Sequence, residues 1–259
     1  MIDNWLVSSF IFFFGCCLGS FLNVCIYRLP LDLSIVSPRS FCPGCRAPVR
    51  SYDNIPLLSY LLLRGKCRNC GAPISWRYPL VEAITGAFAV ALFWKFGLTL
   101  GFFAFFAFTT ALIVITFIDL DHRIIPDVIS LPGIGAGFLL SFFLPNPSWI
   151  ESLIGLLAGG GSLYLVAIAY EALTKREGMG GGDVKLLAMI GAWLGWKAVL
   201  FTLFFSSLTG SVIGGAIMMA RKENGKLAVP FGPFLAFSAL AYVFFGEKLI
   251  QWYLNWGGF

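Results

Sequence analysis

Charge is what this sequence has least of. Only 12% of its 259 residues are Asp, Glu, Lys or Arg, while 58% are hydrophobic and the mean hydropathy is +0.84. A soluble domain carries about 25% charged residues, so that class is excluded. Histidine is nearly absent: His122 stands alone and no H-E-x-x-H occurs, which leaves a zinc metallopeptidase without ligands. No G-x-S-x-G supplies a serine nucleophile. Strand-type alternation of apolar and polar residues is also missing, and this excludes an outer-membrane barrel.

What the chain has instead is continuous apolar sequence. Runs at residues 5–27, 79–97, 98–118, 128–144, 150–170, 184–195, 198–219 and 230–246 are near the roughly 20 residues that cross a bilayer. The expected fold is an all-α polytopic membrane protein of about eight transmembrane helices. The first run has no basic region before it and no small-residue cleavage site in the usual place, so it reads as an uncleaved span. With the N-terminus outside, the inner loops are 28–78, 119–127, 171–183 and 220–229. These loops and their flanks contain fifteen of the eighteen Lys and Arg, all but Lys95, Lys197 and Lys248. The positive-inside rule favours that orientation, and the net charge of +5 then reports topology before any partner. Small residues such as Gly159, Gly160, Gly161 and the Gly210/Gly214 pair let helices approach closely. Trp252, Tyr253 and Trp256 read as an interfacial aromatic belt.

Residues 28–78 form the one sizeable polar segment. It contains Cys42-Pro-Gly-Cys45 and Cys67-Arg-Asn-Cys70, two C-x-x-C pairs with 21 residues between them. Two such knuckles complete a closed tetrahedron of thiolates, which makes a zinc site structural rather than catalytic. The metal would supply folding energy that a loop of this size cannot draw from its own core. Two disulfides are the alternative, disfavoured on a reducing cytoplasmic side. Cys16, Cys17 and Cys25 lie in the first span and read as small apolar residues. Arg39, Arg46, Arg50, Arg64, Lys66, Arg68 and Arg77 make the same loop basic. That composition suits a surface attracted to anionic headgroups, and no aromatic-platform motif supports nucleic-acid binding.

An acid within or beside a membrane helix is costly, so each one is a candidate site. Asp119 ends an apolar run and is followed by Asp121, His122, Arg123 and, after Pro126, Asp127. Asp183 follows Gly178-Met-Gly-Gly-Gly182 and opens the next apolar segment. Asp127 reads as a helix N-cap. Asp183 could cap its own helix, although a glycine run before an acid also permits close backbone approach. Asp119 and Asp121 are not distinguishable at this level. Two carboxylates that meet at one membrane depth share a proton, so one can take a proton from water while the other polarises a peptide carbonyl. That is the chemistry of an aspartic peptidase. A cation-coupled transporter is the rival from another class, and a structural assembly subunit with a docking loop is a third reading.

Taken together, these motifs resemble the bacterial type IV prepilin peptidases, the leader peptidase/N-methyltransferases of the G-x-G-D class. The resemblance runs through Gly19-Ser-Phe-Leu-Asn-Val24, Tyr27-Arg-Leu-Pro30, both cysteine knuckles, and Arg77-Tyr-Pro79 leading to Glu82. It continues through the segment from Asp119 to Asp127, Gly178 to Leu186, and Pro230-Phe-Gly-Pro233. It implies Asp119 and Asp183 as the catalytic pair, with Gly180 and Gly182 supporting the second, and cleavage of basic leaders from prepilins or pseudopilins at the cytoplasmic boundary. Because this chain has the cysteine loop, for which the spacing of Cys42, Cys45, Cys67 and Cys70 predicts zinc, the resemblance further implies N-methylation of the new terminus with S-adenosylmethionine. The location implied is the bacterial inner membrane. No residue is assigned to the methyl donor. The expected organisation is a first transmembrane helix at 1–27, a four-cysteine zinc-binding domain at 28–78 and a peptidase domain at 79–259.

Overall fold

The computed structural model describes residues 2–175, 180–221 and 230–256. Of the expected inner loops 171–183 and 220–229, residues 176–179, with Gly178 and Met179, and residues 222–229 lie outside the described residues. The chain forms α1 (Ile2–Arg28), α2 (Leu58–Leu62), α3 (Arg77–Phe96), α4 (Leu100–His122), α5 (Asp127–Leu140), α6 (Trp149–Thr174), α7 (Gly181–Leu194), α8 (Trp196–Arg221) and α9 (Gly232–Trp256). Among the described residues there is no strand, only two isolated β-bridges. Apart from the five-residue α2, the eight helices fall on the eight expected spans. Five of them, α1, α3, α4, α6 and α8, are long and apolar enough to cross a membrane. α5 and α7 have 14 residues each, about 21 Å of helix against a hydrocarbon core of about 30 Å.

The chain divides into two compact units, residues 1–114 and 115–259. In the first, α1 and α3 pack antiparallel along their whole length. Trp94 Nε1 donates to Ser8 Oγ at one end (3.1 Å) and Asn23 Nδ2 donates to the Tyr78 carbonyl at the other (3.1 Å). Between these, small residues set the spacing. A methyl on Gly15 would lie 2.8 Å from Ala89 Cβ, one on Gly19 2.7 Å from Glu82 Cα, and one on Gly86 2.7 Å from Cys16 Sγ. Gly15 and Gly19 form a small-xxx-small pair that brings the backbones together. Cys16 and Cys25 are buried, consistent with packing roles, while Cys17 is exposed. The antiparallel pairing returns Arg77 to the end where Arg28 leaves, so residues 29–76 emerge together. There the buried Arg28 guanidinium donates to the Ser34 and Pro38 carbonyls (2.7 Å each) and fixes the start of the loop.

In the second unit α7 is the centre. Leu186 through Leu194 are all buried, the mark of a helix apolar all round and enclosed by protein. α6 approaches through Gly155 and Gly159. Added methyls there would collide with the carbonyls of Gly191 and Leu187, and Ser152 Oγ donates to the Ala192 carbonyl (2.6 Å). α5 approaches through Gly133 and Gly137, beneath Met189 and Trp193, whose Nε1 donates to the Gly133 carbonyl (2.7 Å). At the end of α7, Gly195 takes φ +80° and ψ 175°, an extended positive-φ conformation that glycine alone adopts without strain, and α8 starts at the next residue. Gly155→Val is expected to wedge α6 from α7 and destabilise the unit by about 1–3 kcal/mol, read as a lower unfolding temperature in detergent. An unchanged transition would contradict this packing.

Candidate functional site

Three segments of the second unit converge on one cavity of about 250 Å³, lined by Asp119, Arg123, Ile125, Gly180, Gly182 and Asp183 among others. Asp119 comes from the last turn of α4 and is buried, whereas Asp121 is exposed. Two residues along a helix is about 200° of rotation, so the two acids face opposite ways. Past α4 the chain turns sharply. Arg123 adopts φ +55° and its N–H donates to the Asp119 carbonyl (2.9 Å), which caps α4 and sends Ile124–Pro126 along the cavity. Asp183 is the third residue of α7, half-buried, and lines the same cavity as Asp119.

The glycines before Asp183 are not equivalent. Gly180 precedes α7 with ordinary backbone angles, and a methyl there would make normal contact, 3.7 Å from Asp183 Oδ2. Gly181 has open space around it. A methyl on Gly182 would lie 2.9 Å from Ile125 Cβ. Close approach is therefore required at one position, and the approaching group is Ile125 of the same chain.

Asp127 departs from the expected N-cap. It is the first residue of α5 behind Pro126, and Lys185 of α7 donates to both its carboxylate oxygens (2.7 Å each). The carboxylate joins two helices beside the cavity instead of capping one. Asp183 likewise is not the N-cap of α7: Gly180 holds that position and Asp183 lies in the first turn.

Sequence reasoning missed Gly232. Its N–H, at the start of α9, donates to Asp119 Oδ2 (2.9 Å, buried), and a methyl on it would lie 2.6 Å from that oxygen. Pro230-Phe-Gly-Pro233 is visible as a motif. The available signal is a glycine between two prolines at a helix start, which leaves few N–H donors there.

The first unit gathers Cys42, Cys45, Cys67 and Cys70 so that all four sulfurs lie within 4.8 Å of one another, with Cys42 and Cys70 Sγ 3.8 Å apart. A tetrahedron with metal–sulfur distances of about 2.3 Å has edges of about 3.8 Å, so the set fits a tetrahedral cation. The two knuckles are copies of one design. Cys42 N–H donates to the Ala47 carbonyl (2.9 Å) and Arg46 N–H to the Cys42 carbonyl (2.8 Å). Cys67 N–H donates to Ala72 (2.8 Å) and Gly71 N–H to Cys67 (2.9 Å). The bridges Phe41↔Pro48 and Lys66↔Pro73 are equivalent, as are the left-handed Arg46 and Gly71. A C-x-x-C-x-Ala-Pro repeat in the sequence is the missed sign of this duplication.

The electrostatics of the cluster suit thiolates. Hydrogen bonds from the Asn69 side chain (3.6 Å) and the Ala47 backbone lower the Cys45 thiol to about 6. The amides of Cys70 and Asn69 lower Cys67. Cys70 is pushed up to about 11: the Ala72 amide acts to lower it, but the Cys45 sulfur, desolvation and the Cys67 and Cys42 sulfurs outweigh that. Four sulfurs this close cannot all carry charge without a cation between them. Arg68, inside the second knuckle, grips Asp53 with Nε (2.9 Å to Oδ2) and an Nη (2.7 Å to Oδ1), which holds that carboxyl below its usual range. The guanidiniums of Arg68 and Arg50 both lie over the Tyr52 ring. These contacts tie the second knuckle to the segment between the two.

Residues 13–96 match the family model of the bacterial peptidase A24 N-terminal domain, and residues 106–215 that of the type IV leader peptidase family. A prepilin leader peptidase/N-methyltransferase of Aeromonas hydrophila is 39% identical over 97% of this chain and 95% of its own. Proteins of the same name from Pseudomonas aeruginosa (37% identical; 95% of this chain, 92% of its own) and Legionella pneumophila (34%; 97% and 96%) are similar over comparable lengths. No solved structure matches. The chain belongs to the type IV leader peptidase family, with the bacterial N-terminal domain preceding the peptidase region.

Proposed function

We propose that this protein removes the basic leader from type IV prepilins or pseudopilins and then N-methylates the exposed terminus, with Asp119 and Asp183 as the catalytic pair. The observation that carries the peptidase reading is the placement of these two acids, 64 positions apart in sequence, in one small cavity at two helix ends. In this scheme the two carboxylates meet around one water molecule and share a proton at neutral pH. The ionised one takes a proton from a water molecule whose oxygen attacks the scissile carbonyl. The protonated one donates to the carbonyl oxygen. Collapse of the resulting tetrahedral diol breaks the C–N bond, with a proton delivered to the departing amine. No acyl-enzyme forms on this route.

The substrate class suits a site at helix ends. A prepilin has a charged head followed by an apolar helix, so its scissile bond rests where headgroups meet hydrocarbon. In this reading the protein is a multi-pass protein of the bacterial inner membrane, its N-terminus outside and the cysteine loop and aspartates on the cytoplasmic side. The distribution of Lys and Arg supports that orientation. Residues 1–27 serve as a first span, 28–78 as a four-cysteine module and 79–259 as the peptidase. Zinc at Cys42, Cys45, Cys67 and Cys70 has a structural role, supported by the sulfur spacing and the closed ligand set. S-adenosylmethionine supplies an electrophilic methyl group to the new amine, and no residue of this chain is assigned to hold it. Prepilin and lipid account for the partners, with no role for nucleic acid.

The two supporting glycines separate in this scheme. Gly182→Ala forces Ile125 against the cavity wall and is expected to slow leader removal by at least about tenfold. Gly180→Ala adds a methyl where there is room and is expected to stay within about threefold of the parent, as single-turnover cleavage of a purified prepilin would show. Equal losses at both positions would contradict this steric account. The reading as a whole is tested by incubating the purified, lipid-reconstituted protein with a prepilin. A shortened product bearing an N-methyl group supports it, and an unchanged prepilin overturns it.

A further inference from the structure

The cavity raises the question of what fixes the orientation of a carboxylate that has to present one particular oxygen to water. A helix start leaves its first N–H groups without intrahelical partners, and Pro230 and Pro233 remove two of the donors in the segment that opens α9. The Gly232 N–H remains, and it is directed at Asp119 Oδ2 (2.9 Å) in a buried setting. Asp119 stands where a capping side chain would stand, although it comes from a different helix 113 residues earlier. The space allows nothing further. A methyl on Gly232 would lie 2.6 Å from Asp119 Oδ2, 3.2 Å from its Cγ and 3.4 Å from Ile125 Cδ1. The backbone angles are not the reason for glycine here; the carboxylate is.

With Oδ2 of Asp119 occupied by the amide, its Oδ1 is the oxygen left for water and substrate.

We propose that the Gly232 backbone amide is a positioning group for leader cleavage: it pins Oδ2 of Asp119 so that Oδ1 faces the cavity, and glycine is required at 232 to let the amide come that close. This rests on the assignment of Asp119 to the reaction. It gives α9 a part in catalysis without any side chain, and it makes Pro230-Phe-Gly-Pro233 a device for aiming one N–H.

The amide and the missing side chain can be tested separately in the full-length protein, made by cell-free synthesis into lipid nanodiscs. Glycolic acid at 232 replaces the N–H by an ester oxygen and adds no bulk. It is expected to lower kcat for prepilin cleavage by at least about tenfold with KM within about twofold, because the substrate-binding surface is unchanged and only the reacting oxygen is misplaced. Gly232→Ala keeps the donor, adds the clash and is expected to lose at least as much kcat. Phenyllactic acid at 231, which removes the neighbouring N–H, should remain within about threefold of the parent in both constants. A glycolic-acid variant with parental kcat would overturn the proposal. So would a loss matched by the ester at 231, since the effect would then belong to the start of α9 as a whole. Asp119→Asn is run alongside. If it cleaves normally, the assignment of Asp119 itself fails, an outcome distinct from failure of the positioning role.

Discussion

Asparagine at either Asp119 or Asp183 is expected to slow leader removal by on the order of 10³-fold or more, while the protein still inserts and folds. Asn matches Asp in size but can neither take a proton from water nor donate one to a carbonyl as a carboxyl group does. In the proposed mechanism both acids are needed in different protonation states, so either substitution removes a complete function. At Asp119 the amide from Gly232 can still find an oxygen acceptor on Asn, so the local fold should survive. Asp121→Asn provides the comparison. That side chain is exposed, on the opposite face of α4 from Asp119, and its replacement should leave the rate within about threefold. Gel separation of prepilin from the shortened product in single-turnover reactions gives these rates. Near-parental cleavage by Asp119→Asn or Asp183→Asn would remove that residue from the mechanism.

Breaking the proposed four-thiolate zinc site is expected to have the second large effect, and on a different activity. Cys42→Ser or Cys67→Ser takes one ligand from a closed set of four. The purified protein is expected to fall from about one zinc per chain to well below one, because the remaining three sulfurs no longer form the closed site. The loop holding these residues has two isolated β-bridges, one short helix and two short 3₁₀ turns, too little structure to persist without the cross-link. Methylation of a pre-cleaved pilin is expected to drop by at least about tenfold, whereas leader removal should drop less, because Asp119 and Asp183 lie in the other compact unit. Elemental analysis and a methyl-transfer assay with radiolabelled S-adenosylmethionine provide the two readings. Carefully purified parental protein without zinc would contradict the four-thiolate site.

The helices are legible in the sequence because a bilayer demands long apolar runs, and every one of the eight expected runs forms a helix. Most of their ends shift by a few residues where caps take over, as at Ser148, whose capping box with Glu151 begins α6, while α9 runs ten residues past the expected 246, to Trp256. Less visible is which helices face protein. α7 reads like any apolar span, and its enclosure becomes apparent only when glycines from α5 and α6 are seen against it. The Gly15/Gly19 pair carries a readable sign of close packing between α1 and α3 that only the structure brings to notice.

The candidate site is legible by residue type, since acids are scarce in a chain like this. It is not legible by geometry. Asp119 and Asp121 are equivalent on paper, and they separate only because one is buried against the start of α9 while the other is exposed. Asp127 reads wrongly as a cap because its partner, Lys185, lies 58 residues away. Gly232 is hidden for the same reason: a backbone amide has no residue type, so its aim at Asp119 is written only in three dimensions.

The central claim is that Asp119 and Asp183 act as one unit. The most direct test compares residual cleavage by Asp119→Asn, Asp183→Asn and the double variant, with enzyme in excess over prepilin and long enough incubation to measure slow rates. If the carboxylates share one reaction step, the double variant is no slower than the slower single variant, since the first substitution already abolishes the joint function. Losses that multiply in the double variant would show two independent contributions and contradict the dyad.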